Sequence, residues 1–227
     1  MSSAYACGLA DQLGLLRARI DAGMPRRGWK VGINVPEVQR KLGLSRALVG
    51  WLDGDRIFPS GSAISIPPGS KIHAEPELCV RMAAPVNADS DPVSARAAVG
   101  AIAPALELVD YSKPAATLDD IVRGSMFHSA CVIGDWKPPL ARLGIAARVS
   151  FLVGALQAEP ARSDLVPEDL ADLVLLVATL LAEGGQQLLP GDLILSGSFT
   201  AKALPFRAGE TAVAELGGFG LVSCIGA

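Results

Sequence analysis

Many short, strand-like apolar stretches mark this chain, and helical spacing is confined to a few segments. Within residues 8–22, Leu9, Leu13, Leu16 and Ile20 recur three or four positions apart, the spacing of one helix face, and Gly23-Met-Pro25 stops the run. The longest predicted helix is Pro167–Gly184, which starts Pro-Glu-Asp and ends at Gly184-Gly185. Shorter helices are predicted over Pro36–Leu42, capped by Asn34 with Glu37 in its first turn and Gly43 closing it, and over Asp91–Gly100, opened by Asp91 and Pro92. Thr117-Leu-Asp-Asp120 resembles a capping box with Asp in place of Glu and opens one or two turns.

Strands are predicted at Trp29–Ile33, Ala63–Ile66, His73–Met82, around Glu107 in Ile102–Asp110, at Met126–Gly134, Val149–Ala158, Leu193–Ser196, Thr211–Leu216 and Gly220–Ile225. Gly50–Pro59 reads as a turn-rich loop carrying Asp53 and Asp55. Pro76 has no N–H to give a ladder, so its strand is expected at a sheet edge or with a bulge there. Many short strands with few helices, and no regular βαβ alternation, predict an α+β fold built as a single domain over residues 1–227 with a short N-terminal helix.

Half of the 227 residues are hydrophobic, enough for a sizeable core. Charged residues are 19% and the net charge is −3; Lys and Arg form no basic stripe, which argues against nucleic acid or an anionic membrane as partner. The longest apolar run, Leu173–Ala182, is too short to span a bilayer. Met1–Cys7 lacks the basic start and long apolar core of a signal peptide. Cys7, Cys79, Cys131 and Cys224 form no CxxC pair, so reduced, buried thiols in a cytoplasmic protein are expected.

The stretch with most chemistry in it is His73-Ala-Glu-Pro-Glu-Leu-Cys-Val-Arg-Met82. Glu75 and Glu77 are two apart, so on a strand they share a face with Cα atoms about 6–7 Å apart. Two buried like charges that close repel and lose hydration, so something positive belongs between them. Glu107 stands in similar apolar company in Ile102-Ala-Pro-Ala-Leu-Glu-Leu-Val-Asp110. Converging from two strands, the three carboxylates make an all-oxygen site for a hard divalent cation. The alternatives are a solvated sheet edge for Glu75 and Glu77 and an ordinary salt bridge for Glu107.

Five ordered motifs, Gly28-Trp-Lys-Val-Gly32, Val38-Gln-Arg-Lys-Leu-Gly43, Glu75-Pro-Glu77, Ala105-Leu-Glu-Leu-Val-Asp110 and Pro190-Gly-Asp-Leu-Ile-Leu-Ser-Gly-Ser198, resemble the fumarylacetoacetate hydrolase superfamily. The branch they resemble is that of the 2-keto-4-pentenoate hydratases and 4-oxalocrotonate decarboxylases of aromatic-compound catabolism. The resemblance implies a mixed β-sheet roll with flanking helices, Mg²⁺ or Mn²⁺ held by Glu75, Glu77 and Glu107, Lys30 as an active-site lysine, and a homo-oligomer. It further implies a small 2-oxo acid that chelates the cation through its C1 carboxylate and C2 oxygen, with the cation stabilising the enolate. Lys30 then holds the substrate or shuttles a proton; outside the family it reads as a surface ion pair.

Two departures bear on the reaction. Where the hydratases carry a Pro-Asp-aromatic-Gly stretch, this chain has Ala47-Leu-Val-Gly50, so Leu48 replaces an acid implicated in proton transfer. Where they carry an Asn-Ala-Ser-Ser-type run, this chain reads Ser125-Met-Phe-His-Ser129, with His128 at an active-site Ser position. His128 is therefore a candidate to have taken over the acid/base role; the alternative is a packed, partly buried ring. The leading expectation is a metal-dependent hydratase-type lyase acting on a short 2-hydroxydienoate or 2-oxo-enoate. The alternatives are a 2-oxo acid decarboxylase or tautomerase of the same superfamily, and a non-catalytic partner subunit.

Overall fold

The computed structural model describes residues 3–140, 142–143 and 148–227, the side chains of residues 3 and 4 excepted. In chain order the elements are α1 (Ser3–Asp21), β1 (Gly28–Gly32), α2 (Pro36–Lys41), β2 (Leu48–Trp51), β3 (Ile57–Pro59), β4 (Ser62–Ile64), β5 (Ile72–Met82), α3 (Pro92–Ala97), β6 (Val99–Asp110), α4 (Leu118–Arg123), β7 (His128–Ile133), β8 (Val149–Val153), β9 (Leu156–Gln157), α5 (Leu170–Ala182), β10 (Leu193–Leu195), β11 (Leu204–Pro205), β12 (Thr211–Leu216) and β13 (Gly220–Gly226). Among the described residues, no helix is long and apolar enough to cross a membrane.

The larger sheet runs β2-β1-β10-β5-β6-β7-β3, with β11 also on β5; β1–β10 and β3–β7 are parallel, the other pairs antiparallel. Its two edges, β2 and β3, are consecutive in the chain. The span from Trp51 to Ile57 reaches about 21 Å fully extended, whereas seven strands laid flat would put the edges about 29 Å apart. The sheet therefore curls into the mixed roll expected from the family. A second sheet, β4-β13-β12-β8-β9, packs its inner face into the same main core through Phe151, Ala212, Ala214 and Val222.

Alternation sorts the central strands cleanly. Ala74, Leu78 and Val80 of β5, Ile102, Leu106 and Leu108 of β6, and Val132 of β7 enter the main core. The opposite parity lines the inside of the roll, where Cys79, Ala103, Ala105, Cys131, Leu193 and Leu195 form a second, smaller cluster. Ala and Cys at four of those positions leave room for the curl, and the carboxylates share this inner face.

Several sequence expectations need correction. Pro76 is neither on an edge strand nor at a bulge: β5 pairs with β6 along its length, and its register shift falls at Arg81/Met82. The Pro76 carbonyl accepts from the Phe199 N–H at 3.0 Å, so the side on which proline lacks a donor faces the 196–200 segment, between β10 and β11, where there is no continuous ladder to break. Asn34 does not cap α2; the cap position is Val35, and the Asn34 amide donates instead to Leu165 O (3.0 Å) and Ser198 O (2.9 Å). The 50–59 loop contains the end of β2 and all of β3, and the 149–158 strand is a β8–β9 hairpin broken at Gly154. Cys7 is exposed, while Cys79, Cys131 and Cys224 are buried thiols. The Thr117/Asp120 capping box and the Asp91 cap are formed as expected.

Candidate active site

The β5–β6 register places Glu75 directly opposite Glu107, with Glu77 two positions along β5 on the same face. One carboxylate oxygen from each of the three lies within 4.8 Å of the others. Glu77 and Glu107 are fully buried and Glu75 partly so. All three are candidates from the sequence: alternation along β5 puts Glu75 and Glu77 on one face, and Glu107 stands out by its apolar surroundings and its family motif.

The charges that meet them come from β1 and β7. Lys30, buried itself, projects from β1 and places Nζ 2.5 Å from Glu107 Oε1 and 3.4 Å from the Met126 carbonyl. His128 Nδ1 is 2.8 Å from the same oxygen. The Gly197 N–H donates to Glu77 Oε2 at 2.9 Å. Gly197 has φ +83°, and a Cβ there would lie 2.8 Å from the Asn34 amide nitrogen, so glycine is what lets this N–H turn toward the carboxylate. Each of these carboxylates keeps one oxygen back: Glu77 Oε1 and Glu107 Oε2 are buried without a hydrogen-bond partner, as is His128 Nε2. Orphaned buried oxygens are costly, and two of them converging with Glu75 fit a hard divalent cation, which takes oxygen ligands.

The protonation of these groups follows from the same geometry. Burial, then the charge of Glu107, pushes the Glu75 carboxyl up to about 7 against the pull of Lys30. Burial and the charges of Glu107 and Glu75 push Glu77 well above the usual carboxylate range. Glu107 would rise by burial too, but Lys30 and His128 outweigh it and hold it low. Burial lowers the pKa of His128 despite its bond to Glu107, so the neutral ring serves as an Nδ1–H donor to that carboxylate.

Lys30, Glu75 and Glu107 line a cavity of about 510 Å³, whose wall includes the apolar side chains Val35, Val38 and Leu42 around α2. His73, Tyr111 and Phe127 form a chain of ring contacts along another part of the wall, with centroids 4.9 and 5.3 Å apart. Leu48 pairs with Gly32 at the end of β2, and its side chain is buried in the main core.

The Lys30 pocket is closed by a turn that sequence reasoning missed. Ser125, Met126 and Phe127 have φ of 52°, 47° and 66°, three successive left-handed residues without a glycine. Such residues cost about 1–2 kcal/mol each. The turn persists because it is held: Ser125 Oγ donates to Trp51 O at 2.8 Å, and Gly50 leaves the space, since a Cβ there would lie 2.3 Å from Ser125 Oγ. The turn aims the Met126 carbonyl at Lys30 and starts β7 at His128 rather than at Met126. No Gly or Asn marks these positions, so the sequence carried no signal for them.

Comparison with known proteins agrees with this architecture. The chain is 28% identical over 211 residues to a 4-oxalocrotonate decarboxylase from a Pseudomonas species, covering 92% of this chain and 82% of that protein. It is 26% identical over 221 residues to the 2-oxo-hept-4-ene-1,7-dioate hydratase of Escherichia coli, with the same coverage. Its fold matches the 4-oxalocrotonate decarboxylase of Pseudomonas putida G7, solved with magnesium and adipate, at a TM-score of 0.82 and 20% identity over 95% of this chain and 83% of that one. Residues 29–224 match the fumarylacetoacetate (FAA) hydrolase C-terminal family, and the chain belongs to that family.

Proposed function

We propose that the protein is a divalent-cation-dependent lyase that releases CO₂ from a short unsaturated 2-oxo acid. The observation that carries the class is the pair of unpartnered oxygens, Glu77 Oε1 and Glu107 Oε2, beside Glu75 at the cavity wall. Glu75, Glu77 and Glu107 would hold the divalent cation, which would supply a positive centre for negative charge on the substrate's 2-oxo oxygen. Lys30 binds the acid end of the substrate and carries a proton at Nζ, oriented by Glu107 and the Met126 carbonyl. Val35, Val38 and Leu42 around α2 offer the middle of the substrate an apolar wall.

The lack of an acid at position 48, where this chain has Leu48, favours one of the reactions open to this site. Adding water to an enoate requires proton exchange where the water enters, and a leucine packed in the core exchanges none. Releasing CO₂ needs no base at the bond that breaks, because the electron pair moves toward the 2-oxo end. The likeness to a 4-oxalocrotonate decarboxylase favours the same choice. Hydration is the second reading, favoured by the likeness to the E. coli hydratase. Purified protein with Mg²⁺ should release CO₂ from 4-oxalocrotonate while leaving a 2-hydroxydienoate unhydrated, as followed by NMR. Hydration without CO₂ release would reverse the assignment.

His128 is proposed to steady Glu107 rather than to exchange protons with substrate, since its Nδ1 addresses the carboxylate and its ring is buried. Groups that orient a metal ligand are typically worth about 10–100-fold in metal affinity. His128→Ala should weaken Mg²⁺ by that factor, with turnover recovering at saturating Mg²⁺. His128→Asn, whose amide N–H can stand in for Nδ1–H, should keep most of the affinity and turnover. An Asn variant as inactive as the Ala variant at saturating Mg²⁺ would return His128 to the acid/base role.

A further inference from the structure

Gln12 is a fully buried amide that the chemistry above leaves unused. It sits on α1, a helix that lies outside the matched family region of residues 29–224. Its Nε2 donates to Val122 O at 2.5 Å and to Val49 O at 3.3 Å, while Oε1 is buried without a hydrogen-bond partner. An orphaned buried oxygen is costly, so stability alone does not account for this residue. Its two acceptors show what it joins. Val122 lies near the end of α4, and its carbonyl also takes the Ser125 N–H at 2.9 Å. Val49 immediately precedes Gly50 and Trp51 of β2, which give the Ser125 side chain its space and its acceptor. The left-handed turn at Ser125–Phe127 is thus slung between α4 and β2, and Gln12 ties those two elements together. Gly8, one turn earlier on α1, lets the helix close on α4: a Cβ there would lie 2.9 Å from Asp119 O and 3.0 Å from Val122 Cβ.

We propose that Gln12 is a positioning residue for Lys30: it holds the Ser125–Phe127 turn in place, and with it the Met126 carbonyl that faces the ammonium. The inference rests on the role given to Lys30 above and extends the device behind that lysine to the N-terminal helix. Left-handed residues without glycine persist only where their surroundings hold them. Once the supports slacken, the turn relaxes. Met126 O, 3.4 Å from Lys30 Nζ, then moves away, and Lys30 keeps Glu107 alone. The three carboxylates stand on β5 and β6, which pair with each other without the turn, and His128 has its own pairing with Val109. Loss of the Gln12 amide should therefore fall on turnover and not on the cation.

Gln12→Met keeps the side chain's length and removes both its donors and its orphaned oxygen. With 4-oxalocrotonate and Mg²⁺ it should lower kcat about tenfold or more, because displacing a reacting group by about 1 Å can cost about 100-fold. Mg²⁺ affinity by calorimetry should be unchanged. Amide exchange in the metal-free protein should speed up at Met126 and His128, with β5 and β6 as protected as in wild type. Gly8→Ala, which pushes α1 off α4 and leaves Gln12 intact, should show the same split. Ser125→Ala loosens the same turn, so adding Gln12→Met to it should cost little more. The proposal is overturned by wild-type kcat in Gln12→Met, by a loss of Mg²⁺ affinity as large as the loss of kcat, or by losses from Gln12→Met and Ser125→Ala that multiply. If Gln12→Met does not fold, Gly8→Ala decides by the same measurements. Wild-type turnover in Lys30→Met would instead overturn the role of Lys30, and a wild-type protein without turnover would overturn the reaction itself.

Discussion

Glu107→Ala should weaken Mg²⁺ binding by more than about 100-fold, beyond the loss typical of a ligand's supporting partner. Glu107 is central to the charge arrangement, since it faces Glu75 across the strands and carries both Lys30 and His128 on Oε1. Its Oε2 has no other partner. Removing it takes away a proposed ligand and leaves the Lys30 charge inside the roll without its nearest carboxylate. Glu77→Ala should behave similarly, since Oε1 is unpartnered and Oε2 has only the Gly197 N–H. Binding should also depend on pH, because a carboxyl must lose its proton before it ligates a cation. Glu75 is raised from 4.5 to about 7 in the folded chain. Without metal, the stabilisation from this group is therefore present in full below about pH 4.5 and is lost as pH rises through about 7. The shift in Tm caused by Mg²⁺ should grow over the same window. Calorimetry and thermal melts between pH 5 and pH 8, with and without Mg²⁺, would check both statements. A Glu107→Ala protein that binds Mg²⁺ like wild type would remove the proposed cation site.

The parts of this site legible in the sequence were those set by local periodicity. A period of two puts Glu75 and Glu77 on one face of β5, and the ordered family motifs bring in Glu107 and Lys30. Caps at Asp91 and Thr117 were equally visible, because an N-cap is a contact within four residues. What stayed hidden depended on contacts far apart in the chain. Pro76 read as an edge because proline breaks a ladder, yet its blocked side faces the 196–200 segment, contributed from over a hundred residues away. Asn34 read as a cap because Asn before a helix usually is one, but its amide is spent on carbonyls of Leu165 and Ser198. The left-handed turn at Ser125–Phe127 runs against the preference of each of its residues. It exists because Trp51, Gly50 and Lys30 accommodate it. His128 was noticed for its chemistry, but only its distance to Glu107 tells whom it serves.

Lys30→Met should lower kcat/KM by at least about 100-fold, the low end for a positioned proton-transfer group, and should also destabilise the metal-free protein. The second effect follows from the pairing the structure reveals. A solvent-exposed lysine would lose only activity when replaced by the similarly unbranched methionine, but Lys30 and Glu107 are 3% and 1% exposed and 2.5 Å apart. Breaking a buried ion pair from one side typically costs about 3–5 kcal/mol, because the remaining charge is left uncompensated. Here the remaining charge is Glu107, which His128 alone then supports. The carboxylate can shed that penalty by taking a proton, so the loss of stability in Lys30→Met should shrink as pH falls. A divalent cation beside Glu107 would compensate the same charge, so saturating Mg²⁺ should restore most of the lost Tm. It should not restore kcat/KM, because it replaces the charge of the ammonium but not its N–H groups. The split separates the two duties assigned to Lys30, neutralising Glu107 and acting on substrate. Thermal melts and steady-state kinetics on the one variant, each with and without Mg²⁺, measure both. Full kinetic rescue by Mg²⁺ would reduce Lys30 to a counter-ion, and wild-type kinetics at any Mg²⁺ concentration would remove it from the site.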